Sequence, residues 1–521
     1  MTTESMHWAD QAARRVMQEK GDKKKYTVAA GITPSGTVHI GNFREMITVD
    51  LVHRALKDLG KEVRFIYSWD DYDVFRKIPK NMPKQELLQK FLRKPITDTP
   101  DTFDCHKSYA EHNEKEVEDV LPLVGIKPEF LYQSKKYRKC EYADEIKFVL
   151  NNKEKVRKVL DKFRKEPLPE EWYPISIYCE KCNTDETDVL DYDGEYGITY
   201  ECKCGHKDKI DFRKKGIVKL PWRLDWPMRW HYEKVDFEPG GKEHSTEGGS
   251  YSTAKLIVKE LYDMDPPVYQ KYDFIILKGI GGKMSSSSGN VITLKETLEV
   301  YEPEIIRYLF ASTRPDAEFA ISFDLDVLKI YEDFDKCERI YYKKEEADEK
   351  EFAKQKRIYE LSCVNKASKK MPFQPSFRHL CNVVQIYEND FDKIKEEYKV
   401  KEKEDIERLK TRAKCAWNWL QKYAGEDLKF HVQKEVKINL NDNEKEAIKR
   451  LAEYLEKHKE IDEKLLYEEF YNISKSVNLE PKKFFEACYR ILINKEKGPK
   501  LAGFILTLGK ERVIELLNKS K

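Results

Sequence analysis

The segment Gly31-Ile32-Thr33-Pro34-Ser35-Gly36-Thr37-Val38-His39-Ile40-Gly41-Asn42 decides the fold. It follows a short apolar run, Tyr26–Ala30, and leads into a stretch from about His39 to Leu59 whose apolar residues recur at helical spacing. Gly60 ends that helix, as a C′ glycine does, and Val63–Trp69 reads as a second strand. Strand, glycine turn, helix and strand form a βαβ unit, which implies a parallel sheet. Phosphates bind at such turns because free backbone N–H groups and the helix dipole face the anion. Gly36 and Gly41 allow close backbone approach, and His39 can donate an imidazole N–H to a phosphate oxygen.

Outward from this unit, residues 5–20 read as a preceding helix. After Phe75 the alternation breaks, and the chain is helical and charged to about Lys219, with a cysteine-rich hairpin near the end. This is expected to be an insertion. The α/β pattern resumes at Leu220, with a helix over Thr253–Met264 and a strand over Tyr272–Lys278. From about Asp326 no strand is compelling. Ile448, Leu451 and Leu455, then Phe484, Phe485, Cys488 and Leu492, mark helical faces in an all-α C-terminal third, and Lys343–Lys356 is a charge-dense helix or linker. The expected division is 1–75 and 220–280 as two halves of one α/β domain, 76–219 as the insertion, 281–344 as a loop and stem-contact region, and 345–521 as a helical region.

A chain of 521 residues exceeds one core and should form several domains. Its net charge of +2 confines any nucleic-acid surface to a local patch. A mean hydropathy of −0.75 would suggest disorder, yet 40% hydrophobic and 12% aromatic residues suffice for packed cores. No apolar run approaches the ~20 residues that span a bilayer, and the first residues lack the apolar core of an export signal. The eleven cysteines are an odd count, and four of them fall between Cys179 and Cys204, which suits metal ligation in a reducing cytoplasm. Cys337, Cys363 and Cys488 read as small buried hydrophobes.

Cys179-Glu180-Lys181-Cys182 and Cys202-Lys203-Cys204-Gly205-His206 are two turn-borne ligand pairs of a zinc ribbon, with Cys204 or His206 as the fourth ligand. Four protein ligands close the shell, so such a zinc is structural. Asp101, Cys105, His106 and His112 offer a second group. Spacings of four and seven bring Asp101, Cys105 and His112 to one side of a helix, with His106 supplied from its start.

The second phosphate-directed motif is Lys278-Gly279-Ile280-Gly281-Gly282-Lys283-Met284-Ser285-Ser286-Ser287-Ser288-Gly289-Asn290, a glycine- and serine-rich loop with Lys283 to neutralise charge as it builds in a transition state. HIGN followed about 240 residues later by KMSSS resembles the HIGH and KMSKS signatures of class I aminoacyl-tRNA synthetases. With the zinc-bearing insertion and the helical C-terminal third, nearly the whole chain resembles the archaeal-type class I lysyl-tRNA synthetases. The resemblance implies a Rossmann-type catalytic domain with that insertion, an all-α anticodon-binding region, and activation of lysine by ATP with Mg²⁺ before transfer to the 3′ end of tRNA(Lys). One or two structural Zn²⁺ per chain and no membrane contact complete the expectation. It also assigns His39, Asn42, Lys283, Ser285, Ser286 and Ser287 to catalysis, and Pro34, Ser35, Gly36, His39, Gly41, Asn42, Gly248, Gly249 and Lys283 to ATP. Gly31, Thr33, Trp222, His244 and Tyr272 match the family's amino-acid pocket. The second metal group is implied by the same resemblance. Asn42 replaces a second histidine and Ser286 a second lysine, both of which the lysyl family tolerates.

A lysine ammonium on a four-carbon stem wants an aromatic face, a carboxylate and a few acceptors. Trp222, Trp226 and Trp230 recur every four residues, although Pro227 argues against a regular helix and at least two of the three should be packing residues. Asp70, Asp71 and Asp73 follow the second strand, at the carboxyl end where open α/β sheets bind ligands. Trp417 and Trp419, i and i+2, cannot share one helix face. Competing readings are a glutamate or cysteine enzyme of the same class, a catalytically silent tRNA-binding relative, and a small nucleotidyltransferase, which would leave the C-terminal ~190 residues unexplained.

Overall fold

The computed structural model describes residues 7–279 and 291–519. Five parallel strands make the central sheet: β1 (Lys25–Ile32), β2 (Glu62–Trp69), β3 (Glu129–Tyr132), β4 (Phe237–Gly241) and β5 (Val268–Tyr272), in the order β5-β4-β1-β2-β3. β1 and β2 pair from Lys25 opposite Glu62 to Ile32 opposite Trp69. The middle of β1 is buried without a break, as a strand covered on both faces requires. Helix α1 (Trp8–Lys20) precedes the sheet and α2 (Ile40–Asp58) links β1 to β2. From β1 the chain first builds outward through β2 and β3, then returns to the other side for β4 and β5. The carboxyl ends therefore part between β1 and β4, which opens a crevice at that switch point.

Three expectations need correction. β3 lies within the expected insertion yet is the edge strand of the central sheet, so the chain leaves the α/β core, returns at Glu129 and leaves again. The expected strand over Tyr272–Lys278 is two: β5 ends at Tyr272, and Ile275–Lys278 (β6) pairs in a separate sheet with Phe319–Ser322 (β7). The break is pinned by the buried guanidinium of Arg44, which donates to the carbonyls of Asp273 (2.8 Å) and Phe274 (3.0 Å), and to those of Arg314 and Ala317. Pro227 sits inside a continuous helix, α3 (Trp222–Glu233). One lost hydrogen bond is offset by an indole ladder, with Trp222–Trp226 and Trp226–Trp230 centroids 5.0 and 4.9 Å apart.

The remaining insertion carries a three-stranded antiparallel ribbon, Thr187–Tyr192, Gly197–Cys202 and Lys207–Asp211, on its own tyrosine-rich core. Beyond Asp326 the regular elements among the described residues are all helices, but they divide. Those up to Ala424 share the core of the central sheet, whereas Phe430 to Leu517 form a second core. Trp419 is buried and donates to the Phe323 carbonyl (2.9 Å), while Trp417 is half-buried beside the same core. Among the described residues no helix is long and apolar enough to cross a membrane.

Candidate active site

His39 is the N-cap of α2, in extended backbone. Its N–H donates to the Asn42 side-chain oxygen (3.1 Å), so the amide that replaces a second histidine fixes the first turn of the helix. Burial holds the imidazole down at about 4, neutral at physiological pH. The backbone of His39 bridges to Thr293, and Ile40 N–H donates to the Ile292 carbonyl (2.7 Å). The chain leaving the Gly/Ser loop thus rests on the first signature. Lys283, Ser285, Ser286 and Ser287 lie outside the described residues.

A cleft of about 640 Å³ opens between the ends of β1 and β4. Gly31, Thr33, Ser35, Gly36, Asn42, Trp222, His244 and Tyr272 line it. Pro34, His39, Gly41, Gly248 and Gly249 are not among its lining residues; His39 lines a separate small cavity with Val38, Phe43 and Thr293. Gly248, at φ +71°, and Gly249 close the turn before Ser250–Tyr262, where a Cβ on Gly249 would meet the His244 carbonyl at 2.5 Å. His244 stands edge-on to Trp226, at 5.9 Å between centroids, which places it on the indole ladder.

The acidic turn after β2 divides by partner. Asp70 accepts from Arg229 (2.6 Å), and burial raises it to about 6 despite that guanidinium. Burial alone would also raise Asp73, but the adjacent Lys219 ammonium and the Thr33 hydroxyl (3.1 Å) hold it low. Asp71 turns away to Ser134, accepting its N–H at 2.7 Å. Glu45, on α2, projects into the cleft. It accepts the Gly31 N–H (2.9 Å) and the Tyr272 hydroxyl (2.7 Å), and burial pushes it up to about 8.

Two ligand clusters stand outside the cleft. The sulfurs of Cys179, Cys182, Cys202 and Cys204 converge, with Cys179–Cys204 at 3.7 Å and Cys182–Cys202 at 3.5 Å. Sulfurs ~2.3 Å from a tetrahedral zinc stand ~3.8 Å apart, so the set fits the ion. His206, the alternative fourth ligand, is excluded from that group. Gly205, at φ +81°, turns the chain so that His206 lies with Glu180 and Asp208, whose carboxylates already share the Lys215 ammonium (2.7 and 3.1 Å). Asp101, Cys105, His106 and His112 also converge, with Cys105 Sγ 3.1 Å from His106 Nδ1 and 3.2 Å from His112 Nδ1. Here the helix begins only at Tyr109, and Asp101 gathers the preceding turn by accepting the N–H groups of Phe103, Cys105 and His106.

Residues 6–365 match the family described as tRNA synthetases class I (K). The chain belongs to this family. It is 53% identical over 517 residues to a lysine–tRNA ligase of Borreliella burgdorferi, covering 98% of this chain and 99% of that one. A lysine–tRNA ligase of Treponema pallidum is 47% identical (99% and 98% covered), and one of Pyrococcus horikoshii is 41% identical (98% and 99%).

Sequence reasoning missed three contributors to the cleft of this synthetase: Glu45, Lys219 and the exposed pair Arg76 and Lys77. A signal for Glu45 existed, since it interrupts the inner side of a helix that is otherwise mostly buried. Lys219 had none, because its partner Asp73 is 146 residues away.

Proposed function

We propose that this synthetase activates lysine with ATP and transfers the lysyl group to the 3′ end of tRNA(Lys). The observation that carries the reading is the pairing of His39 and Ile40 with Ile292 and Thr293, close in the chain to Val38 and Asn42, which line an acidic, aromatic-walled cleft. It brings the flank of the lysine-bearing loop to the helix N-terminus that faces phosphate. In the first step a lysine carboxylate oxygen attacks the α-phosphorus of ATP. The new O–P bond forms as the bond to pyrophosphate breaks, giving lysyl-adenylate. A neutral His39 serves as a hydrogen-bond donor to phosphate rather than as a titrating acid, and Lys283 neutralises the departing charge. In the second step a 3′-terminal ribose hydroxyl of the tRNA attacks the acyl carbon and AMP leaves. Mg²⁺ would accompany the triphosphate.

A glutamate-specific site would need a free cation to receive the side-chain carboxylate. Of the cations lining this cleft the buried Lys219 is already bound to Asp73, and Arg76 and Lys77 are exposed, while the buried Arg229 nearby is bound to Asp70. The cysteine set would hold one zinc and the Asp101 group a second, both as structural clamps on the inserted segments. We further propose that the helical region from about residue 345 binds the anticodon. A groove of about 560 Å³ there is lined by Arg378, His379, Lys429, Lys495, Lys497 and Lys500, a cationic surface suited to an RNA backbone. Pyrophosphate exchange into ATP, run over all amino acids with and without tRNA, tests the reading. Exchange dependent on lysine is expected. Exchange driven by another amino acid alone would overturn it.

A further inference from the structure

One face of the helix Tyr109–Glu118 carries Tyr109, His112, Asn113, Glu116 and Val117, spaced i, i+3, i+4, i+7 and i+8. None of these residues lines the cleft, yet that face reaches the first signature from behind. The Tyr109 hydroxyl donates to the Ser35 carbonyl (3.1 Å). The Asn113 amide donates to the Pro34 carbonyl (3.4 Å) and, within the helix, to that of Tyr109 (2.9 Å). One turn further on, Glu116 and Val117 line the small cavity that His39 shares with Thr293. Tyr109 is 1% exposed and packs on Phe75 (5.2 Å between ring centroids), so its hydroxyl is carried on a fixed ring. Asn113 is fully buried, and its Oδ1 has no partner among the described residues. An unpartnered amide oxygen costs desolvation that an apolar side chain of the same shape would avoid. Packing alone does not call for an amide here, whereas two backbone carbonyls that need a donor do.

In a trans peptide the carbonyl and the N–H that follows it point in opposite directions. Anchoring the Ser35 carbonyl on Tyr109 therefore turns the Gly36 N–H away from the helix. Gly36 lines the cleft, and its N–H has no partner among the described residues. The Ser35 N–H is spent on the Thr33 carbonyl (2.8 Å), which leaves the Gly36 N–H as a donor that the turn can offer to an anion. Thr33, at the far end of the turn, is held separately by Asp73 (3.1 Å). We infer that Tyr109 and Asn113 are positioning residues for ATP: from outside the cleft they hold the back of the turn 34–36 so that the Gly36 N–H meets the triphosphate. This role rests on the proposed activation of lysine by ATP.

The test measures pyrophosphate exchange into ATP, with saturating tRNA(Lys) transcript present, for the unsubstituted enzyme, Tyr109→Phe and Asn113→Leu. Tyr109→Phe removes one hydroxyl and keeps the ring on Phe75, while Asn113→Leu keeps the volume and removes both donors. Each should raise the KM for ATP about three- to tenfold, the factor that one neutral hydrogen bond supplies, and leave the KM for lysine within about twofold, because Thr33 keeps its own anchor. A helix that only supports the fold would lower the thermal unfolding midpoint and shift both substrates alike, so unfolding is followed on the same samples. The split between the two KM values decides, and Tyr109→Phe carries the test if Asn113→Leu does not fold. An unchanged ATP KM in Tyr109→Phe, or ATP and lysine KM values raised equally, would overturn the role while leaving lysine activation intact. Absence of lysine-dependent exchange in the unsubstituted enzyme would instead overturn the function, and this role with it.

Discussion

At the scale of single residues, two side chains show how environment sets chemistry. His7 caps α1: its Nδ1 accepts the Ala9 N–H (3.1 Å) and its Nε2–H donates to the Ala311 carbonyl (2.7 Å). Burial holds its pKa near 4, below the value of an unfolded histidine. Protonation therefore favours unfolding, so its contribution is complete above about pH 6.5 and is lost as pH falls toward 4. Denaturant titrations should show a loss on the order of 2 kcal/mol from this group over that window. His7→Asn, which keeps a cap but cannot titrate, should flatten the profile; parallel profiles would refute the role. Lys283, the one cation in the KMSSS signature, is proposed to act on charge that develops at pyrophosphate. Lys283→Ala should lower kcat for adenylate formation by roughly 10²–10³ with little change in lysine binding. A normal kcat with only a raised lysine KM would contradict this. His39 was legible in the sequence because strand, turn and capped helix are all local. Glu45 was legible only as an interruption of a buried helix face, and its setting shows only once Gly31 and Tyr272, 14 and 227 residues away, are seen to hold it.

At the scale of elements, the inserted segments are built around side-chain clusters that no single helix or strand would stabilise. The ribbon strands are short, and the sulfurs of Cys179 and Cys182, on the turn before the ribbon, converge with those of Cys202 and Cys204, on a turn within it. The Asp101 group similarly fixes the irregular chain before Tyr109. Metal analysis of the purified chain should find about two zincs, one lost in Cys105→Ser and the other in Cys182→Ser. A single zinc unaffected by Cys105→Ser would remove the second site. The ribbon was readable from cysteine spacing alone. β3 was not, because Glu-Phe-Leu-Tyr is too short for a periodic signal and only its pairing with Ile66–Trp69 makes it a strand. Pro227 misled for a physical reason: its local cost is real, and only stacking of the neighbouring indoles offsets it.

At the scale of the whole molecule, the candidate cleft lies on the core shared by the sheet and residues up to Ala424, whereas the cationic groove is walled by Arg378 and His379 beside that core and by Lys495, Lys497 and Lys500 beside the Phe430–Leu517 core. Activation and RNA binding should therefore separate. Reversing Lys497 and Lys500 to glutamate should weaken charging of tRNA about tenfold or more, with lysine-dependent exchange in the absence of RNA unchanged where it occurs, or otherwise restored by saturating tRNA. Equal loss at saturating tRNA would place those residues outside an RNA-binding role. The α-helical character of this part was evident from its heptad-like apolar spacing, but its division into two cores was not, since that depends on which faces meet. The most direct measurement is steady-state charging of unmodified tRNA(Lys) transcript with labelled lysine by the full chain, against a tRNA(Glu) transcript with labelled glutamate. The account predicts acid-stable, base-labile lysyl-tRNA(Lys) that requires ATP and is lost in His39→Ala, with no glutamyl-tRNA. Glutamylation without lysylation, or lysylation unaffected by His39→Ala, would contradict it.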